Sequence, residues 1–171
     1  SEPASTFERR ERMITSLARR SFVLSTAILT QAGCSGLFGS STTPLILKCV
    51  VSDRLNLNEN NEATSLVVRL LDLRAEEAFL TLDFYDLYDR DQSRLGADLL
   101  GRREVTLIPG RTEKPLEREL GEDVQFLGIV AAFRDLSEAQ WRVSIKLNRG
   151  RKNEFTLEFK ERRVTFTKGI K

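Results

Sequence analysis

Histidine is absent from this 171-residue chain, and only two cysteines, Cys34 and Cys49, are present. Without histidine there is no His general base, no Ser-His-Asp triad and no His-ligated zinc. Two cysteines are too few for an all-cysteine zinc site or a disulfide framework. A surplus of one charge is lacking too, since 27 Lys plus Arg stand against 25 Asp plus Glu for a formal +2. Such a balance leaves no basic footprint for nucleic acid. No phosphate-cradling P-loop, dinucleotide fingerprint or G-x-S-x-G elbow occurs. The N-terminal apolar run, 22–30, is about half of the ~20 residues needed to span a bilayer. What is left is one domain's worth of chain, long enough to bury a core, with a distinct N-terminal segment.

The +2 is not spread evenly. Residues 1–33 carry Arg9, Arg10, Arg12, Arg19 and Arg20 against Glu2, Glu8 and Glu11, so everything from position 34 onward counts to neutral. That asymmetry marks a targeting segment. A basic region ending at Arg19-Arg20 is followed by the weakly apolar FVLSTAILT and then by Ala32-Gly33-Cys34. Arg19-Arg20-Ser21-Phe22-Val23-Leu24 is similar to the twin-arginine export motif, with ordinary secretion as the other route. Ser1 to Arg12 serve neither motif, which makes Met13 a candidate start. Ala32-Gly33-Cys34 resembles the end of a bacterial lipobox, with Gln31 where leucine is usual. We expect a diacylglyceryl group on the Cys34 thiol. The other reading is an ordinary tail cysteine, free or bridged to Cys49. Ser35 after the cysteine, rather than Asp, favours transfer to the outer membrane. If Cys34 is acylated, Cys49 is left unpaired in an apolar strand as a small hydrophobe.

Residues 35–43 (SGLFGSSTT) read as a flexible tether reaching at most about 30 Å. The domain plan is therefore 1–33 extension and export signal, 34–43 acylated cysteine and tether, and 44–171 folded domain. In the last part the pattern is mostly period two. Segments 45–51 and 66–73 are aliphatic on both faces and predict internal strands. Segment 103–108 alternates up to Pro109-Gly110, and 114–120 is expected as its return strand, with Leu116, Arg118 and Leu120 on one face. Segments 124–133, 142–147, 155–159 and 164–167 complete the set. The last is expected at an edge, guarded by Arg162, Arg163 and Lys168. Segment 75–88 carries apolar residues at three- and four-residue spacings and predicts a helix. Segment 136–141, with Ser137 as N-cap, predicts one short helical turn. The sum is a mainly β, two-sheet sandwich with a short helical insertion.

The acids Asp83, Asp86, Asp89 and Asp91 lack the central Gly and terminal Glu of a calcium loop, so they read as the solvated face of a helix. No metal or cofactor is expected. Trp141 and the phenylalanines read as core. The connection 53–64 (DRLNLNENNEAT) is longer than a hairpin needs. It is either a functional loop, with Leu55 and Leu57 as partner anchors, or a floppy connection.

Several segments then combine. Leu55-Asn56 is followed by Ala63-Thr64-Ser65-Leu66-Val67-Val68-Arg69-Leu70-Leu71-Asp72-Leu73. Next come Phe79-x-x-Leu82-Asp83-Phe84-x-x-Leu87, Leu95-Gly96-x-Asp98-Leu99 and Leu107-x-Pro109-Gly110. The series ends with Leu127-Gly128-Ile129-Val130-Ala131-Ala132-Phe133-Arg134-Asp135 and Ala139-x-Trp141-Arg142. In this order, across about 34–147, it resembles the outer-membrane lipoprotein of bacterial type VI secretion, the TssJ (SciN-like) family. Departures are Leu57, where the family often has proline, and Leu71-Asp72-Leu73, where it often has Tyr-Gln-Leu.

The resemblance implies a transthyretin-like sandwich with a protruding loop and no catalysis. It implies a lipid anchor in the outer membrane, facing the periplasm. The implied partner is the periplasmic C-terminal region of the TssM-type inner-membrane subunit, met through the first inter-strand loop. Carried onto this chain, the contact residues are Leu55, Asn56, Leu57, Asn58 and Glu59. Two rivals make different demands. A small-molecule-binding lipoprotein needs an apolar pocket within the sandwich. An envelope enzyme needs two carboxylates about 5–9 Å apart in a cleft.

Overall fold

A computed structural model describes residues 42–169 of the chain. The export segment, Cys34 and the tether up to residue 41 lie outside the described residues. In chain order the strands are β1 (Thr43–Val51), β2 (Leu66–Leu73), β3 (Leu99–Leu107), β4 (Leu116–Leu120), β5 (Phe126–Ala131), β6 (Arg142–Lys146), β7 (Asn153–Lys160) and β8 (Arg163–Lys168). Between β2 and β3 lie three short helices, α1 (Glu77–Thr81), α2 (Phe84–Asp89) and α3 (Asp91–Leu95), and a 3-10 turn. One sheet has the order β4-β1-β7-β8 and the other β3-β2-β5-β6. Neighbours are antiparallel except β1 and β7, which run parallel.

Alternation decides which side chains meet between the sheets. Leu45 and Leu47 of β1 and Phe155, Leu157 and Phe159 of β7 face Leu66, Val68 and Leu70 of β2 and Leu127 and Ile129 of β5. Each of these ten is at most 3% exposed, and burying one such side chain stabilises by roughly 1.5–3 kcal/mol. β2 carries Leu71 and Leu73 on its other face, where the helices cover it. Leu71, Leu73 and Val130 pack there against Phe79, Leu87 and Leu95. Gly128 of β5 lies beneath this packing, where a Cβ would sit 2.9 Å from Phe79 Cε2 and 3.0 Å from Leu73 Cδ1. The missing side chain leaves the room that the Phe79 ring and Leu73 occupy.

Three sequence expectations fail here, each for a local reason. The helix expected over 75–88 is two helices, since Leu82 is extended and the Asp83 carboxylate accepts from the Asp86 amide at 2.8 Å. That bond is an N-cap, so Asp83 starts a new helix instead of continuing the old one. The acids form a solvated face only in part, through Asp83 and Asp89. Asp86 and Asp91 are buried, held by Arg90 and Arg94 at 2.6 and 2.8 Å and by Arg102 at 2.9 Å. Residues 136–141 form no helix. Ser137 donates instead to Asp135 at 2.7 Å, and the Gln140 backbone pairs with Arg162 and Val164.

The Pro109-Gly110 turn does not make a hairpin either. β4 pairs with β1 in the other sheet, so the chain crosses between sheets after β3. The crossing puts Arg118 of β4 opposite Asp72 of β2, a bidentate ion pair joining the two sheets. Both partners are largely buried, and Gly101 of β3 leaves room for the Asp72 carboxylate.

A bolted loop and the polar cleft beside it

β1 is nine residues long, so at ~3.3 Å per step its two ends lie roughly 26 Å apart. At its start, the Thr43 hydroxyl accepts from the Gly150 amide. At its end, the chain enters the connection to β2, and the β5–β6 and β7–β8 connections meet it there. One pole of the sandwich thus receives the chain from the N-terminal segment, while the other collects three loops.

The β1–β2 connection is built, not loose. Leu55 is fully buried and belongs to the inter-sheet core. Asn56 is 4% exposed and takes a left-handed backbone, φ 48°. Asparagine tolerates that region better than most residues. The Asn56 Nδ2 donates to Thr64 Oγ1 at 3.0 Å and to the Ser65 carbonyl at 2.9 Å. Its Oδ1 accepts from the Arg134 amide at 2.9 Å, and its own amide donates to the Glu161 carbonyl at 2.9 Å. One side chain thereby ties the loop to itself and to the β5–β6 connection, and its backbone adds the turn before β8.

Beyond Asn56, a second asparagine organises the tip. Asn58 Oδ1 accepts from the amides of Asn60 and Glu62, and its Nδ2 donates to the Glu62 carboxylate, all at 2.9 Å. Asn61, at φ 61°, completes the tight turn. Of the five residues expected to touch a partner, Leu55 and Asn56 therefore present almost no surface. Their anchoring is inward, because the core and the neighbouring loops absorb them. Asn58 spends its amide on the turn. Leu57 and Glu59 are left facing outward.

These outward residues border a cleft of about 600 Å3 lined by Leu57, Asn58, Glu59, Asn60, Arg134, Asp135 and Arg162. Arg162 Nε lies 3.3 Å from Asp135 Oδ2. A hydrogen bond from Ser137, with help from Arg162, holds the Asp135 carboxyl below its ordinary range. Arg134 is exposed and has no ion-pair partner among the described residues. Open shape, mixed charge and one half-buried leucine suit a polypeptide surface better than a small ligand. Arg134, Asp135 and Arg162 were not picked out as contacts from the sequence. They lie some 75 to 105 positions beyond the loop, and only the Arg134-Asp135 pair stood in a recognisable motif.

A family model described as type VI secretion lipoprotein, VasD, EvfM, TssJ matches residues 43–162. The chain belongs to this type VI secretion lipoprotein family. Among solved structures, the lipoprotein TssJ1 from Pseudomonas aeruginosa is 30% identical with a TM-score of 0.71, over 78% of this chain and 99% of that one. Serratia marcescens Lip, a membrane-bound component of the type VI secretion system, is 21% identical with a TM-score of 0.65, over 75% and 99%. A chain in a structure described as the TssM C-terminal domain from EAEC is 22% identical with a TM-score of 0.58, over 74% and 100%. No curated protein matches the chain. The family's transthyretin-like sandwich is thus the observed architecture, down to two four-stranded sheets and the helical insertion. Among the described residues no helix is long and apolar enough to cross a membrane.

Proposed function

We propose that this type VI secretion lipoprotein is acylated on Cys34 and held in the outer membrane. From there it secures the periplasmic C-terminal region of a TssM-type inner-membrane subunit, without catalysing a reaction. The observation that carries the reading is polarity. The chain enters the sandwich from the lipobox side at one end of β1, and the bolted loop with its cleft lies at the other. A domain hung by residue 34 would keep the cleft clear of the end where the tether joins β1. Anchor and partner confined to one envelope raise each other's local concentration, so a cleft of modest affinity suffices. One acyl chain binds a bilayer only marginally, so durable anchoring calls for more than one on the cysteine.

A chain of this fold in a structure described as the TssM C-terminal domain supports the choice of partner. Preorganisation supports the choice of surface, since a loop already fixed by Asn56 and Asn58 loses little entropy on binding. The test is co-purification from an envelope fraction. Leu57→Asp with Glu59→Lys is expected to lower recovery of the TssM-type subunit by roughly tenfold, the scale of one or two central contacts. The urea midpoint of the purified variant should stay unchanged. Cys34→Ser is expected to move the protein from membrane to soluble periplasm. Full recovery of the subunit by the double variant would sink the cleft assignment, and unaltered fractionation of Cys34→Ser would sink the anchor.

A further inference from the structure

The two long seams of the sandwich are closed differently. On the β6–β8 side, backbone hydrogen bonds from Gln140 to the Arg162 carbonyl and from Val164 to the Gln140 carbonyl stitch the sheets together. On the β3–β4 side the corresponding backbone bond lies past the strand ends, from the Gly110 amide to the Ser52 carbonyl at 3.1 Å. β4 pairs with β1 only as far as Leu47, so residues 48–51 of β1 have no strand on that flank. The crossing segment 113–115 leaves the sheet there, and the interior opens over Cys49.

The opening is a pocket of about 280 Å3. Leu47, Cys49 and Phe159 form one wall, and Leu70 and Val105 form the other. Glu113 and Lys114 stand at its rim, opposite charges side by side. Its surroundings are apolar enough that burial, aided by Glu113, pushes the Cys49 thiol up to about 11. Polar groups in the walls are few, so water gains little there.

We propose that this open seam binds a single alkyl chain of about ten carbons, belonging to an amphiphile whose head stays at the rim. The volume sets the length. A dry apolar cavity of about 150 Å3 holds the six carbons of benzene. The seam, at about 280 Å3, therefore takes roughly twice that carbon count. The rim sets the tolerance. With Glu113 and Lys114 adjacent, neither an anionic nor a cationic head is excluded, so chain length outweighs head charge. The proposal does not rest on the secretion role and leaves the polar cleft untouched.

Cys49 supplies the readout, because Cys34→Ser leaves it as the sole thiol in the full chain. Its alkylation by N-ethylmaleimide is followed by intact mass with hexanol, octanol, decanol, dodecanol, decanoate or decyltrimethylammonium present. Only empty pockets react, so decanol at about ten times its Kd should slow labelling roughly tenfold. Affinity should rise about fourfold per methylene up to about ten carbons and then level off, because further methylenes find no wall to bury against. Decanoate and decyltrimethylammonium should fall within about tenfold of decanol. In the same background, Val105→Phe fills the seam and should abolish the stabilisation of the folded chain by decanol, read as a thermal shift. The parental length series stands if that variant fails to fold. Absence of protection by decanol, affinity that keeps rising beyond ten carbons, or an undiminished shift in folded Val105→Phe would each overturn the site.

Discussion

Asn56→Ala removes three side-chain hydrogen bonds in one step, to Thr64 Oγ1, the Ser65 carbonyl and the Arg134 amide. Each is worth about 1 kcal/mol, and more where the partner is left buried and unpaired. Alanine must also hold φ 48°, where its Cβ crowds the following carbonyl at a cost of about 1–2 kcal/mol. Together the loss should be about 3–5 kcal/mol. Asn56→Gly loses the same bonds but is at ease at positive φ, so it should be less damaging by about 1 kcal/mol. Urea unfolding measures both. With a slope of about 1–3 kcal/mol per molar, the Asn56→Ala midpoint should fall by about 1 M or more. Amide exchange supplies the local signature, with faster exchange at Thr64 and Arg134 in both variants. A loss below about 1 kcal/mol, with those amides still protected, would falsify the view that one asparagine bolts three connections together.

Two further perturbations test the packing beneath the helices and between the sheets. Gly128→Ala drives a methyl to within 2.9 Å of the Phe79 ring and should cost about 1–3 kcal/mol by urea unfolding. Phe79→Leu in the same chain should recover part of that loss, and no recovery would place the strain elsewhere. Arg118→Met leaves Asp72 charged and buried between the sheets, with an expected cost of about 3–5 kcal/mol. The double variant with Asp72→Leu should be clearly milder, and additive losses in a double-mutant cycle would show that the pair does not couple the sheets.

β2 was legible to the residue, because a strand buried on both faces is largely apolar on both, Arg69 and Asp72 aside. β7 was equally plain from Phe155, Leu157 and Phe159, spaced by two. The helical insertion was visible in kind but not in form. Whether Asp83 sits mid-helix or caps a new one depends on one hydrogen bond that its carboxylate accepts from the Asp86 amide. The buried acids Asp86 and Asp91 looked exposed because their arginines come from later in the chain, Arg102 from the following strand. The loop 53–64 announced itself by length. Which of its residues face outward did not, since Leu55 looks the same in sequence whether it anchors a partner or the core.

The sequence by itself determined the absence of histidine chemistry, the gathering of the net charge in the first 33 residues and a mainly β domain with one long first loop. These follow from composition and from periodicity of two, which are local properties of the chain. Only the tertiary structure decided that β4 crosses to β1, that Asn56 joins three connections, that Arg134, Asp135 and Arg162 complete a cleft with the loop tip, and that one seam stays open over Cys49. Each of these depends on which strand edges and loops come to lie side by side. Contacts between residues 50 to 100 positions apart leave no period in the sequence, so packing alone reveals them.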